Sequence, residues 1–497
     1  MKNMNQQSLK VNMLLNGIKG IMSIAFPLIT FPYISRVLGV NNLGKYNFAS
    51  SIVSYFVLFS GLGISTYSIR EGARIRENSK EISLFTNEIF TINVCSTVVS
   101  YVSFLILILL TPKFSNYINL MIILSLQIVF KTIGIEWIYS IYEDYIYITV
   151  RSIIFQILSI VMLFLLVKGE KDVEKYAIIT VISAVGSNVF NYLHSHKYCE
   201  VKLTKTIDWK RHLKPIMILF AMSVAVTIYV NSDITILGFL SDDFAVGIYS
   251  VSTKVYSVIK TLLSSILIVS IPRLSAALGK SESEDFCKIA EDIYKSLLTV
   301  IIPSIVGIIV LRREIIIILS GADYLKATSS LFLLSIALLF CLGSWFWGQC
   351  ILIPLKFENI VFQVTIVSAL VNILMNFLLI PIWKENAAAF TTIIAEGISF
   401  AWCYVKGKQF VDMSGIFQLF LKIIFGCISI FFVSLIVHSF ISSVYLRLFL
   451  IILLSIINYF VIEFLLKNIV ICSIITSVKE RTLRNIRSWR NIKKWKI

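Results

Sequence analysis

Seven ionisable side chains stand deep inside long apolar blocks of the chain: Lys19, Lys131, Asp233, Lys254, Lys260, Glu396 and Lys422. A charge at the centre of a membrane-spanning helix costs roughly 2.5–3.5 kcal/mol on insertion scales, so it faces a cavity or a partner. Five of the seven are cations and two are anions, so pairing among themselves cannot neutralise the set. The chemistry that fits is a cationic cavity that neutralises a diphosphate, with lysine ammonium groups acting as point charges. At about 1.5 Å of rise per residue, Lys260 and Glu396 fall nearest mid-span. Lys19, Lys131 and Lys422 fall roughly 10 Å from one edge, and Asp233 and Lys254 at similar depth from the other. Asp233 and Lys254 are on consecutive spans, so Asp233 is expected to hold Lys254. The competing reading is snorkelling to the interface for Lys19 and Lys422, and plain structural ion pairs for the rest. Lys254 and Lys260 are about 120° apart around one helix and need not face the same chamber. Lys422 lies outside the two main helical groups described next. Glu88, Glu136, Arg151, Lys295 and Arg447 lie close to span ends and stay outside the set.

The elements that must position these groups follow from composition. Of 497 residues, 57% are hydrophobic and 15% charged. The apolar residues come in blocks of the roughly 20 that an α-helix needs to cross a bilayer, without the alternation of barrel strands. The expected fold is therefore all-α and polytopic, with about fourteen transmembrane helices. The fourth block is read as Ile118–Tyr139, and Pro272 as the close of the eighth. Residues 1–193 form an expected six-helix lobe, 194–214 a polar connector and 215–405 a second six-helix lobe. Residues 406–478 add two helices, and 479–497 a basic tail. In that tail Leu483, Ile486, Trp489, Ile492 and Trp495 recur every third residue among basic ones, which suits an interfacial segment on an anionic leaflet.

The net charge of +17 belongs to loops facing anionic lipid rather than to nucleic acid. With the N-terminus inside, the cytoplasmic segments carry 27 Lys and Arg against 10 in the outer loops. Both termini and the 194–214 connector are thus expected in the cytoplasm. The eight cysteines are scattered, with no C-x-x-C and no metal-binding spacing, so they read as small core residues. No metal and no cofactor are expected. An internal repeat is visible as well. Leu38-Gly39 followed by Gly44-Lys45-Tyr46 is echoed by Leu237-Gly238 followed by Gly247-Ile248-Tyr249, each leading into Ser-rich helix. Two similar lobes in the same orientation would follow, the parallel type of transporter symmetry.

These motifs carry a family resemblance. Pro27-Leu28-Ile29 through Pro32-Tyr33-Ile34-Ser35-Arg36-Val37-Leu38-Gly39, then Gly44-x-Tyr46, Leu62-Gly63-Ile64 and Tyr67-x-Ile69-Arg70-Glu71, resemble the opening of Wzx-type (O-antigen flippase) polysaccharide exporters. Asp233-x-x-Ile236-Leu237-Gly238, Gly247-x-Tyr249, Lys254 and Pro272-Arg273 resemble the seventh and eighth spans of that family. The resemblance implies the multidrug/oligosaccharidyl-lipid/polysaccharide flippase fold in a bacterial inner membrane. It implies an undecaprenyl-diphosphate-linked oligosaccharide repeat unit as substrate, moved outward by alternating access for O-antigen or other surface polysaccharide, with coupling to an H+ or Na+ gradient open. Membrane lipids, a polysaccharide polymerase and a chain-length regulator would be partners. Substrate binding is assigned to Lys254, Lys260 and Lys19, with Arg36 and Arg70 from the opening motifs. Ion pairing or coupling is assigned to Asp233, Glu396 and Lys131.

Two other functions compete. A multidrug or cation antiporter of the same superfamily would want an acidic cavity, against the cation-rich set. A membrane polymerase or glycosyltransferase would want catalytic groups, yet there is no D-x-D, no Walker motif and no long outer loop. Asp242-Asp243 and His194-x-His196 come nearest and read as ordinary loop residues.

Overall fold

The computed structural model describes residues 9–279, 283–413, 415–473 and 475–476. The basic tail therefore lies outside the described residues. Among the described residues, thirteen helical stretches are long and apolar enough to cross a membrane. The first, Phe26–Ile75, holds two spans. Inside the helix Leu9–Gly61, Gly39 takes φ 70° and ψ 172°, a left-handed conformation open to glycine, and the chain turns a corner there. With that corner counted, the fold is the expected all-α polytopic protein of about fourteen spans.

Many apolar side chains stay uncovered by protein: Leu109 and Phe440 are each 82% exposed. Lipid is the solvent that accepts such surface. Loop ends are closed locally. Asn78 accepts from the Lys80 and Glu81 amides to cap Ser79–Leu110, and Asp208 accepts from the Arg211 amide to cap Trp209–Leu240.

Two expected boundaries move. The fourth span ends at Ile133, where Gly134 and Ile135 (φ 33°) break the helix before a short one, Glu136–Ile141. Pro272 does not close the eighth span, because the helix Asp243–Gly279 runs on past it. A proline inside a membrane helix is tolerated where neighbouring groups take up the freed carbonyl.

The chain divides into two compact units. The first comprises Met1–Ser250, Leu319–Asp323 and Ile373–Ala388; the second comprises Val251–Ile318, Tyr324–Asn372 and Ala389–Ile497. The span Trp209–Leu240 thus belongs to the first unit, whereas the sequence division placed it after the connector.

In the first unit a core forms from Ile64, Tyr67, Phe85, Ile89, Trp137 and Ile138, joined by Cys199 and Val201 of the connector. The connector is pinned further by His212, which is fully buried. Its ring bonds the Tyr67 hydroxyl at 2.8 Å and the Glu88 carboxylate at 2.7 Å. In the second unit the added helices Ile416–Phe440 and Val444–Leu465 are tied to Ser283–Ser320 through the buried Glu314. Arg447 lies 3.3 Å from its carboxylate and His438 3.6 Å.

Candidate functional site

Lys254 stands on the helix Asp243–Gly279, and the residues that follow it at steps of three and four share its face: Ser257, Thr261 and Ser265. All three hydroxyl residues are exposed although the span is apolar. Their hydroxyls donate to the carbonyls of Lys254, Ser257 and Leu262 at 2.9, 2.7 and 2.6 Å. Each oxygen keeps acceptor capacity for a further donor. An exposed hydroxyl stripe gains nothing from hydrocarbon, so this face suits water or a polar substrate. The helix and its predecessor, Trp209–Leu240, are the least covered of the spans, with 17% and 11% of their apolar windows buried.

Lys260 points elsewhere, as its 120° offset from Lys254 anticipates. Its ammonium group lies 3.9 Å from Glu396 and 5.6 Å from the Tyr256 ring centroid. Glu396 is buried and comes from the helix Glu385–Gly407. Depth along the sequence singled out both residues, and the fold brings them together as a pair.

Asp233 is buried on Trp209–Leu240. One carboxylate oxygen accepts from the Tyr249 hydroxyl at 2.8 Å, the other from the Asn376 amide at 2.6 Å. Two neutral donors from two other helices thus fix the carboxylate. Tyr249 belongs to the Gly247-x-Tyr249 motif, but nothing in the spacing marks it as a partner of Asp233.

The other assigned residues scatter. Lys131 is exposed in the last turn of Ile118–Ile133, not mid-way into a longer span, because the helix stops early. Arg36 is exposed just before the Gly39 corner, and Arg70 is exposed and bonded to Glu71 at 2.8 Å. The helical limb between them, from the corner to Gly61, is about 30 Å long, so the two arginines cannot grip one diphosphate together. Lys19 lies in the helix Leu9–Gly61, and its side chain is outside the described set. Sequence reasoning set Arg151 aside, yet it is buried, with its terminal nitrogen 3.8 Å from Glu136.

The glycines of the repeat meet each other. A Cβ on Gly44 would stand 1.8 Å from the Asp243 carbonyl oxygen, and one on Gly247 2.1 Å from that of Val40. Gly238 is required for space too, since its Cβ would stand 2.1 Å from the Phe48 ring. Gly39 and Gly238 therefore match in sequence but serve different ends, one a backbone turn and the other a close packing.

No group of three His, Cys, Asp or Glu side chains that could hold a metal occurs among the described residues. What remains is polar groups spaced along membrane helices. The model of the family described as polysaccharide biosynthesis protein matches residues 9–278, more than half of the chain. The chain belongs to this family. It is 22% identical over 398 residues to a protein of Escherichia coli (strain K12) named provisionally as an O-antigen transporter, covering 79% of this chain and 95% of that one. It is likewise 22% identical over 400 residues to the capsular polysaccharide biosynthesis protein CapF of Staphylococcus aureus, covering 79% and 97%. Among solved structures, the fold is similar to the lipid II flippase MurJ in an inward closed conformation. The TM-score is 0.72 at 20% identity, over 91% of this chain and 98% of that one. It is similar to a multidrug resistance MATE family transporter of the MOP superfamily in an inward-facing conformation, with a TM-score of 0.57 at 14% identity over 81% and 100%. These matches fit the Wzx-type resemblance read from the motifs. This family member is a multi-pass α-helical membrane protein with a fold similar to those two transporter structures.

Proposed function

We propose that the chain is a flippase that carries undecaprenyl-diphosphate-linked oligosaccharide repeat units across the bacterial inner membrane, from the cytoplasmic to the outer leaflet. The observation that carries this reading is the stripe of Lys254, Ser257, Thr261 and Ser265, a cation continued by exposed hydroxyls along an apolar span. Lys254 neutralises the diphosphate, and the hydroxyl groups exchange hydrogen bonds with the sugar. Contacts of this kind are few and individually modest, so the substrate can leave. The similarity to an O-antigen transporter and to a capsular polysaccharide protein supports a glycan cargo, and the likeness to MurJ supports the fold that the reading needs.

The two six-helix lobes work by alternating access, in O-antigen or another surface polysaccharide pathway, with coupling to an H+ or Na+ gradient. Both termini and the connector face the cytoplasm, where basic residues concentrate. A polymerase and a chain-length regulator take up the product.

Complementation of an exporter-deficient strain tests the reading, with protein level measured in the same cells. Lys254→Ala should abolish export with normal insertion, and Lys254→Arg should retain part of it. Ser257→Leu with Thr261→Leu should impair export by closing the polar stripe. Full export by a variant that carries Lys254→Ala and both leucine changes would remove the basis of this proposal.

A further inference from the structure

The helix Trp209–Leu240 has 32 residues, about 48 Å at 1.5 Å per residue, whereas the hydrocarbon of a bilayer is about 30 Å thick. The helix stays apolar through Phe239 and Leu240 at its end, so the surplus length falls at its start. Its first turns therefore stand at the level of the lipid headgroups.

Those turns carry three different stripes. His212 and Ile216, four residues apart, are both fully buried, and the His212 ring bonds Tyr67 and Glu88. This face bolts the start of the helix to the first unit. Trp209, Leu213 and Met217 recur every fourth residue and are 46%, 41% and 43% exposed. Lys210 and Lys214 follow about 100° further round, with Arg211 beyond them, and all three are exposed. Local acids do not balance these cations. Between residues 197 and 214, six Lys and Arg stand against two acids. Both acids are engaged: Asp208 accepts from the Arg211 amide as the helix cap, and Glu200 pairs with Lys202 at 3.0 Å.

We propose that the start of this helix is a docking surface for an anionic phospholipid. The headgroup phosphate lies on Lys210, Arg211 and Lys214, the acyl chains run along Leu213 and Met217, and the Trp209 ring sits at their boundary. The lysines act as point charges and the arginine as a planar fork, both suited to phosphate. A tryptophan beside basic residues at the end of a span matches the layers of a leaflet, polar above and apolar below. A soluble acidic partner would pair with the cations alone, whereas a phospholipid also covers the apolar stripe beside them. The seat of His212 between Tyr67 and Glu88 keeps both stripes turned outward, so the lipid meets the first unit at a fixed place. The surface does not depend on the cargo, and its test involves no transport.

The full-length protein is placed in mixed bilayers of phosphatidylcholine and phosphatidylglycerol. One lipid or the other carries bromine near the headgroup end of its acyl chains, and bromine quenches tryptophan on contact. The chain has eight tryptophans, so the signal of Trp209 is read as the difference between a chain and the same chain with Trp209→Phe. Per mole of lipid, brominated phosphatidylglycerol should quench that signal about fivefold more than brominated phosphatidylcholine. High sodium chloride should reduce the preference, because salt screens exposed charges. With Lys210→Gln, Arg211→Gln and Lys214→Gln combined, the preference should vanish while quenching itself persists, since Leu213 and Met217 still hold acyl chains. Equal quenching by the two lipids in wild type overturns the proposal, as does a preference that survives the triple substitution. Should the triple variant fail to insert, a wild-type preference indifferent to salt overturns it alone.

Discussion

Gly44 and Gly247 pack so closely that a methyl group added to Gly44 would come within 3.0 Å of the Gly247 nitrogen, while one added to Gly247 would strike Val40. The two halves of the sequence repeat therefore touch at matching positions, backbone against backbone. The nearest obstructing atom is a main-chain carbonyl oxygen in each case, of Asp243 for Gly44 and of Val40 for Gly247, so a side-chain rotation cannot relieve it.

Either Gly44→Val or Gly247→Val should lower the stability of the purified protein by at least the 1–3 kcal/mol typical of overpacking, roughly, and reduce its membrane level. Gly61→Ala is the control, since its added methyl would meet nothing within 4 Å. Thermal melts of the three variants check this; wild-type melting of Gly44→Val would contradict the close approach.

Asp233 tests what a buried carboxylate does for its neighbours. Asp233→Ala leaves the Tyr249 hydroxyl and Asn376 amide without their acceptor, at a cost of about 1–3 kcal/mol each. Asp233→Asn keeps one acceptor and should cost less. Export should suffer less in Asp233→Ala than in Lys254→Ala, provided protein levels are matched. The reverse order would make Asp233, not Lys254, the residue nearer the cargo.

For Lys260 the pair with Glu396 separates two roles. Lys260→Met leaves a buried carboxylate unpaired and should lower the melting temperature, whereas adding Glu396→Gln should restore most of it. Lys260 is partly exposed, so the effect falls below that of a fully buried pair. If the double variant regains stability yet still fails to export, Lys260 acts on substrate. If it regains both, the lysine is structural.

Glu314 is an analogous case in the second unit. Arg447→Ala should loosen the added hairpin from Ser283–Ser320, because Glu314 stays buried with only His438 to face it. A loss of about 3 kcal/mol is expected, with Glu314→Gln relieving part of it. Limited proteolysis between 407 and 416 should accelerate in Arg447→Ala. Unchanged cleavage would show that apolar packing alone seats the hairpin.

Sidedness of the connector can be read chemically. Lys205→Cys, at an exposed position, should react with a membrane-impermeant maleimide only after the inner face is opened. Native Cys199 should react slowly on either side, since burial in the core of the first unit raises its thiol pKa and keeps the thiolate scarce at neutral pH. Labelling of Lys205→Cys in intact cells would invert the orientation.

The membrane class and the number of spans were legible in the chain itself. Both depend on single segments and their solvent: apolar length against bilayer thickness. The offset between Lys254 and Lys260 was legible for the same reason, since 3.6 residues per turn fixes a face. That periodicity does not name what lies opposite. The donors to Asp233 arrive from helices that start at residues 243 and 358, and the burial of Arg151 depends on the break at Gly134 and Ile135 that turns Glu136–Ile141 back against it. Partners of this kind are set by contacts among residues far apart in sequence, so only the packed helices decided which charge faces which group.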